Sequence, residues 1–555
     1  MPDHDYVPLM FQAQVGGRSQ IQRLVPKAPR QQAYDWAKQW QEACDVQTVP
    51  AFDAHVQTHP CKFTWRMVTN SGQDAGVIRP VIGERGWAFF PGSSMKGAFL
   101  RACQQLCPPD EVRHYCGGKG KDGDLHPGIL RFHGGYPKDG QWLDNSLVDI
   151  AHPQEEWQTK DQTDHSAFIQ ISLYQPTFVF GISSTKELPD SEWAEIWKIW
   201  DKALERGIGS RVSAGYGQVK NHGESRLVPV GLFGQGAASR RIDREGEFRP
   251  NVFKAALRGH TRRLFLGITD QQTSDRLTKQ LWGGIGIGKG ESATVGLLGI
   301  AFNAPDLELD EWVAAGNRNN RVPIYETGDA MLDVLVMQDH LPQAQRDELK
   351  SFVIRLVKFS MLLGGFGKSW RRADHGLFMR DYKRQMIGCH WEFTKPSRKL
   401  YIPTKDNLLG ITRFLETFHQ KAHEFSWLTA ISDRKAPDKI WREAWNKENV
   451  QVWGRIADAE DDSLAIAWFH DDYRKGHKIK QSELTGSMNQ IGRIWHRMYP
   501  RYLPPTAEKA PPRETEQFVE LLTIFPNRSG KEDEVQKTAD FLQFLDESTD
   551  FKHLW

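Results

Sequence analysis

The hydrophobic and polar positions along the chain predict short strands alternating with amphipathic helices. Over residues 62–70, large apolar side chains alternate with polar ones, which is the two-residue period of a half-buried strand. A helix is predicted over 98–106, where the Pro–Pro pair that follows ends it, and another over 193–204. Between them, residues 168–182 are rich in Phe, Ile, Leu and Val and predict a pair of strands. This order favours an α+β fold with an antiparallel sheet.

Two glycine-rich segments follow predicted helices, one in each half of the chain. Residues 207–217 come after the helix at 193–204, and residues 364–376 come after an apolar helix predicted over 347–363. Both segments mix glycine with Arg and Ser. Glycine permits positive φ and close backbone approach, so successive N–H groups can turn toward one anion. The segments therefore predict cradles for a phosphate backbone, and tight turns without a ligand are the alternative.

The same order of elements begins again in the second half of the chain. A basic helix is predicted over 253–265, ahead of further strands and the helix at 347–363. We therefore expect two tandem modules with helical insertions, the second being the larger. The expected division is an N-terminal arm and helix at 1–60, a first module at 61–230, a Gly- and Ser-rich linker at 231–250, and a second module at 251–555 with a helical insertion at about 405–500.

Composition and charge narrow the class of protein. The chain has 555 residues, of which 39% are hydrophobic, and six cysteines, too few for a disulfide framework. It has neither an apolar run long enough to span a membrane nor an apolar signal core, so we expect a cytoplasmic protein without a membrane partner. Residues 201–290 carry 16 basic and 8 acidic side chains, whereas residues 531–555 carry 3 and 7. This asymmetry indicates a polyanion partner near the middle of the chain, or else a solvated charge pattern.

A glycine cluster at 283–290 was tested as a nucleotide site. It nearly matches the phosphate-binding pattern G-x-x-x-x-G-K-[ST], but Gly290 follows Lys289 where a hydroxyl is needed for magnesium. The preceding residues predict a helix, whereas this motif follows a strand. We therefore reject a P-loop at this segment, and a nucleotide-using enzyme stays a rival that ATP turnover lost in Lys289→Ala would support.

Residues 91–97, Pro-Gly-Ser-Ser-Met-Lys-Gly, carry a family resemblance. With Arg101 in the helix that follows, they resemble the PGSS-x-KG signature of the RAMP superfamily. These are CRISPR-associated subunits built on ferredoxin-like, RRM-like domains. Residues 207–217 resemble the C-terminal glycine-rich loop of that superfamily, and together with 128–137 and 147–153 they make the first half most similar to the sixth subunit of the type III-B (Cmr) effector complex.

The second half is similar to the first subunit of the same complex. The matching residues are 253–258, 283–290 and 364–372. The whole chain thus resembles a natural fusion of two subunits, which implies two tandem ferredoxin-like (RRM-like) RAMP modules.

The resemblance implies an RNA-binding structural subunit of an antiviral ribonucleoprotein. Such a subunit holds the 3′ region of the guide RNA (crRNA) and its duplex with target RNA, contacts other type III effector subunits, and requires neither a catalytic residue nor a cofactor. A basic surface with glycine loops suits a single strand with stacked bases. The RNA contacts carried over are Ser94, Lys96, Arg101, Arg211, Ser213, Tyr216, Lys254, Arg258, Arg262, Lys368, Arg371 and Arg372.

Two kinds of chemistry remain open alternatives. Backbone subunits of the superfamily cut target RNA with a loop aspartate, and Asp74 lies in the corresponding loop at 69–76. Another branch is a RAMP endoribonuclease that processes guide-RNA precursors with a histidine base. The histidines that qualify by residue type are His114, His126, His133 and His496.

Four residues have the side-chain types and the spacing of a possible zinc site. Cys103 and Cys107 are one helical turn apart, and His114 and Cys116 follow the Pro–Pro break. Four such ligands could converge tetrahedrally on zinc. A cysteine pair at this helical spacing is also typical of plain hydrophobic core.

Overall fold

The computed structural model describes most of the chain, and the described part is mixed α+β. The described residues are 27–74, 77–120, 123–151, 168–241, 243, 245–284, 294–313, 321–366, 389–437, 441–486, 492–507, 510–528 and 531–555. The helices are α1 (Lys27–Ala43), α2 (Gly92–Leu106), α3 (Pro109–Cys116), α4 (Asp190–Leu204), α5 (Asn251–Leu266), α6 (Gln271–Trp282), α7 (Gln343–Leu363), α8 (Leu409–His423), α9 (Ser426–Thr429), α10 (Leu464–His470) and α11 (Glu532–Ser548).

The strands of the described residues are mostly short. They are β1 (Gln57–Lys62), β2 (Arg66–Met67), β3 (Gly72–Asp74), β4 (Val77–Arg79), β5 (Gly117–Lys119), β6 (Leu125–Pro127), β7 (Leu130–Pro137), β8 (Val148–Ala151), β9 (Phe168–Ile171), β10 (Leu173–Tyr174), β11 (Thr177–Ser184), β12 (Arg226–Ala237), β13 (Ser239–Arg240), β14 (Gly246–Glu247), β15 (Leu298–Asn303), β16 (Glu308–Val313), β17 (Arg321–Val336), β18 (Cys389–Phe393), β19 (Gln451–Ala457), β20 (Ile494–Leu503), β21 (Arg513–Ile524) and β22 (Lys552–His553).

The first unit comprises the elements from α1 to α4 and the residues between α4 and β12. It places two helices, α2 and α4, on an antiparallel sheet of order β1–β11–β7. Alternate residues of β11, namely Phe178, Phe180 and Ile182, pack into one core with Phe99 of α2 and Trp200 of α4. This alternation is the period-2 pattern of a strand with one buried face. A second sheet of order β3–β4–β9–β8 carries α1 on its surface.

The second unit runs β12, α5, β15, β17, α7, β18, with α6 added after α5 and β16 paired to β17. Its sheet has the order β15–β17–β12–β18, and all neighbours are antiparallel. The third unit runs β19, α10, β20, β21, α11, β22 and has the corresponding order β20–β21–β19–β22. Each is a β-α-β-β-α-β series with the strands in the spatial order second, third, first, fourth.

The linker predicted at 231–250 is wrong. Its first residues belong to β12, which lies between β17 and β18 in the sheet of the second unit. The glycines that suggested a linker have a packing role: a Cβ on Gly234 would lie 2.4 Å from the Trp391 ring. Glycine here lets two chains approach closely, so composition alone gave a false signal of exposure.

The helical insertion predicted at about 405–500 is also wrong in part. The range contains α8, α9 and α10, but it also contains β19 and most of β20. Strand β19 is buried on both faces and therefore lacks the alternation that marks a half-exposed strand. Among the described residues, none of the helices has both the length and the apolar character needed to cross a bilayer.

Candidate nucleic-acid interface

Helix α2 presents an open N-terminus at the surface. Pro91 precedes the helix without a side-chain cap, and the first helical hydrogen bond runs from Met95 N to Pro91 O at 3.0 Å. The N–H groups of Gly92, Ser93 and Ser94 therefore have no acceptor within the helix, and both serines are exposed. Orphan N–H groups and the positive end of the helix dipole favour an anion at this position.

Two glycines fix where this helix begins. A Cβ on Gly92 would lie 2.1 Å from Phe132 O, and a Cβ on Gly134 would lie 2.2 Å from Phe90 O. Gly134 also has φ +80°, which L side chains rarely adopt. The start of α2 is thus pressed against β7 in a space that only glycine fills. The glycine of the PGSS sequence is therefore required by the fold.

The predicted contacts Ser94, Lys96 and Arg101 are all exposed on α2. Ser94, Gly97 and Arg101 lie at i, i+3 and i+7, which places them along one helical stripe. The Nη1 atom of Arg101 lies 3.9 Å from where a Cβ on Gly97 would be. The guanidinium therefore folds back over the glycine toward Ser94, and the missing side chain leaves the stripe open between them.

The glycine-rich segment 207–217 runs beside the residues that continue β1. Ser210 N donates to Val68 O at 2.9 Å, and Gly217 N donates to Arg66 O at 2.8 Å. Gly209 has φ +86°, and a Cβ there would lie 2.4 Å from Val68 O. The segment is therefore an ordered loop held to its neighbour by main-chain hydrogen bonds.

Hydrogen bonds continue from this segment toward the start of α2. Val68, the partner of Ser210, is followed by Thr69, whose Oγ1 accepts from Val81 N at 2.8 Å. Val81 O in turn accepts from Phe89 N at 3.0 Å, three residues before α2 begins. The two candidate anion-binding features thus rest on one connected framework.

Arg211 lies at the turn of the glycine segment in a left-handed conformation with φ 60°. For a residue with a side chain this costs on the order of 1–2 kcal/mol, which the surrounding contacts must offset. Burial lowers the pKa of the Arg211 guanidinium, while Tyr216 and Asp149 act in the opposite direction. Backbone strain of this kind is typical of functional loops.

Tyr216 does not face solvent, contrary to the role expected from the resemblance. It is 2% exposed, and its hydroxyl donates to Asp149 Oδ2 at 2.6 Å. Burial raises the pKa of Tyr216 well above its ordinary value, so the phenol stays protonated. Its ring packs on Trp65 at 4.5 Å between centroids. Tyr216 therefore anchors the glycine segment instead of stacking on a base.

The sequence analysis did not identify the buried charges behind this anchor. Arg66 donates to Glu247, and Arg249 lies 3.3 Å from both Asp149 and Glu247. Burial alone would raise the pKa of Asp149, but Arg249 and Arg66 lower it. Asp149 belongs to the 147–153 sequence noted above, which was the available signal. Glu247 and Arg249 lie in the predicted linker, which concealed their role.

The basic side chains of α5 are also core residues. Arg262 is 1% exposed, its Nη2 lies 2.8 Å from Asp275 Oδ1, and its guanidinium lies 4.5 Å from the centre of the Trp441 ring. Arg258 is 5% exposed. The predicted RNA contacts at Arg258 and Arg262 are corrected accordingly, because both side chains are buried and the Trp441 ring covers Arg262.

Lys254 and Ser213 bind each other. Lys254 Nζ donates to Ser213 Oγ at 2.8 Å, and Ile300 N donates to Ser213 O at 3.1 Å. These bonds join the glycine segment of the first unit to α5 and β15 of the second. Lys368, Arg371 and Arg372 lie outside the described residues, as does Lys289.

The candidates for catalysis are dispersed. Asp74 is the last residue of β3, and its side chain is outside the described part. His126 is exposed, and His114 Nε2 lies 3.9 Å from Glu192. His133 Nε2 lies 2.8 Å from Ser183 Oγ, and burial lowers its pKa.

His496 is buried beside Glu520 and Ser463. Its Nε2 lies 3.1 Å from Glu520 Oε1 and 3.2 Å from Ser463 Oγ. In a nucleophilic triad the acid and the hydroxyl bind different ring nitrogens. Here both face Nε2, and Glu520 also accepts from the main chain at the start of α10. The arrangement is a buried hydrogen-bond network.

The cysteines near the C-terminal ends of α2 and α3 contact one another. Cys103 and Cys116 are buried, and a hydrogen bond between their thiols raises the pKa of Cys103 and lowers that of Cys116. Burial raises the pKa of Cys107 to about 12. In the described part of the chain, no three of these four side chains have ligand atoms that all lie within 4.8 Å of one another. Zinc binding here stays a prediction.

One set of three does meet that distance in the described structure: His390, Glu392 and Glu460. His390 Nε2 lies 2.8 Å from Glu392 Oε1, and Arg497 Nη1 lies 3.4 Å from His390 Nδ1. Since a guanidinium only donates, Nδ1 accepts and Nε2 carries the proton. In this arrangement the set is a cluster of polar side chains that links β18 to the residues after β19, and Arg497 extends it to β20.

Comparison with known proteins adds little. No protein-family model matches the chain, and no curated protein matches it. A chain in a cryo-EM structure of the type III-B Cmr-beta complex bound to cognate target RNA is 15% identical, with a TM-score of 0.24, over 35% of this chain and 64% of that one. A chain of a type IV-B CRISPR complex is 15% identical, with a TM-score of 0.21, over 29% and 87%. The first match thus spans less than two thirds of its chain, and likeness of this size establishes neither fold nor function.

Proposed function

We propose that the chain is an RNA-binding subunit of a type III CRISPR effector complex, holding the 3′ region of the guide RNA and its target duplex. The observation that carries the proposal is the open N-terminus of α2. Its orphan N–H groups, two exposed serines, Lys96 and Arg101 form a site for phosphate, and they coincide with the residues that resemble the RAMP signature.

The topology supports the expected module type. The β-α-β-β-α-β series of the second and third units has the strand order of a ferredoxin-like domain. The first unit has the corresponding first five elements, and residues near 217–218 hydrogen-bond to residues 64–66 beside β1, where a fourth strand would pair. We therefore propose three ferredoxin-like modules, one in the first half of the chain and two in the second.

The burial of the predicted contacts divides their roles. Ser94, Lys96 and Arg101 are exposed, and Arg211 is partly exposed, so these four are proposed to touch phosphate. Contacts of this kind fix the strand's position without reading its sequence. The proposed function is therefore sequence-independent binding of an RNA backbone.

Binding of a labelled single-stranded RNA by the full chain tests the proposal. The double variant Lys96→Ala/Arg101→Ala should weaken binding, and the slope of log K against log salt should shrink by about 0.7 for each lost phosphate contact. Lys198→Ala is the matched control, because Lys198 is an exposed helical lysine paired with Glu195 on α4. An unchanged slope in the double variant would contradict the proposal, and site-specific shortening of the RNA in chelator would favour an endoribonuclease.

A further inference from the structure

Two histidines one turn apart on α8 border an open cleft away from the candidate RNA interface. His419 and His423 are at i and i+4, so they share one face of the helix. Their ring centroids are 4.9 Å apart. The cleft has a volume of about 390 Å³, and Glu416, Lys447 and Trp555 also line it.

One ring nitrogen of His419 is free for a ligand. Its Nε2 is buried and has no hydrogen-bond partner in the described structure. Burial lowers the pKa of His419 to about 4, with a smaller opposite effect from a hydrogen bond to the main chain of Trp445. Because Nε2 has no partner, that bond engages Nδ1. An Nδ1–H held by a carbonyl leaves the lone pair on Nε2, which is the tautomer that coordinates metal ions.

The second histidine is accessible. His423 is exposed. The cleft is therefore bordered by one partly buried and one exposed imidazole on the same face of α8. Glu416 lies one turn before His419 on the same stripe, and Lys447 Nζ is 3.7 Å from its carboxylate. The cleft thus holds two imidazole rings and one carboxylate whose charge a lysine offsets.

We propose that His419 and His423 bind one divalent transition-metal ion of the zinc and copper class. Imidazole nitrogen suits these metals, whereas magnesium and calcium select oxygen ligands. A histidine pair at i, i+4 on a helix is a recognised geometry for zinc. The open side of the cleft gives room for water to complete the coordination. This inference is independent of the proposed RNA-binding function.

Calorimetric titration of the chelator-treated full chain with zinc chloride tests the site. Wild type should bind one ion at this site, and His423→Asn should lose that binding event. His423 is exposed, so this variant keeps its fold, which circular dichroism can confirm. His55→Asn is the matched control at another exposed histidine, and His390→Asn tests the other cluster. Unchanged binding in His423→Asn, or equal loss in His390→Asn, would overturn the proposal.

Two further measurements distinguish histidines that coordinate the metal from histidines that only lie near it. With one equivalent of Cu²⁺, electron paramagnetic resonance should detect coupling to two nitrogen donors in wild type and to one in His423→Asn. Lys447→Met removes a cation beside the cleft and should tighten metal binding, because a like charge nearby disfavours a bound cation. The absence of nitrogen coupling in wild type, or weaker binding in Lys447→Met, would count against the site.

Discussion

Replacing Arg262 by methionine should destabilise the fold without weakening RNA binding. The Arg262 side chain is 2% exposed and that of Asp275 is 10% exposed, and their charged atoms are 2.8 Å apart. Methionine keeps much of the volume but removes the ion-pair partner seen at Asp275. It also removes the contact of the guanidinium with the Trp441 ring.

The expected loss of stability is large. Breaking a buried ion pair by removing one partner costs about 3–5 kcal/mol, because the remaining charge stays out of water. The lost contact with Trp441 adds roughly 1–2 kcal/mol at a desolvated site. The midpoint of urea unfolding, followed by tryptophan fluorescence, should therefore fall clearly below that of wild type.

Arg101→Ala supplies the opposite pattern. Arg101 is exposed on α2, so its loss should leave the unfolding midpoint nearly unchanged and should reduce the salt dependence of RNA binding. A double variant Arg262→Met/Asp275→Leu removes both buried charges and should recover part of the lost stability. If Arg262→Met is as stable as wild type but binds RNA with a smaller salt slope, our placement of α5 in the core is wrong.

Three further changes test other parts of the structure. Gly92→Ala should destabilise the first unit by about 1–3 kcal/mol in urea unfolding, because the added Cβ would lie 2.1 Å from Phe132 O; a fully stable variant would refute the close packing of α2 on β7. Tyr216→Phe removes the hydrogen bond to the Asp149 carboxylate and should cost about 1.5–3 kcal/mol while leaving the salt slope of RNA binding unchanged; a reduced slope would return Tyr216 to the RNA surface. The pKa of Glu520 is lowered to about 2, because hydrogen bonds from His496 and Ser463 outweigh the effect of burial. Its contribution to stability is therefore present above its unfolded pKa and is lost as the pH falls through about 2. Glu520→Gln should make the unfolding free energy depend less on pH in the acid range, and an unchanged pH dependence would contradict this.

Periodicity predicted best those helices that have exposed polar positions as well as buried apolar ones. Helices α4 and α7 agree with the pattern because each buries its regularly spaced apolar side chains in a hydrophobic core. Strand β19 is covered on both faces, so it has no alternation to find. In β12, Gly234 is needed for close packing against Trp391. From the sequence alone, such a glycine cannot be told apart from a glycine in an exposed loop.

The sequence predicted some residues of the candidate site correctly and misplaced others. The residues on α2 were found because a short motif places them at one helix end, where local geometry alone exposes them. Arg262 of α5 was misplaced because its partner, Asp275, is brought to it by the tertiary structure. The i, i+4 spacing of His419 and His423 was visible in the sequence, but the cleft beside them was not.

Hydrogen–deuterium exchange of the full chain with and without single-stranded RNA tests the central claim most directly. The amides of Gly92, Ser93 and Ser94 have no acceptor within α2, so they should exchange rapidly in the free chain. Saturating RNA should slow their exchange if phosphate accepts from these N–H groups. Unchanged exchange at residues 92–94, with protection elsewhere on the chain, would contradict the account.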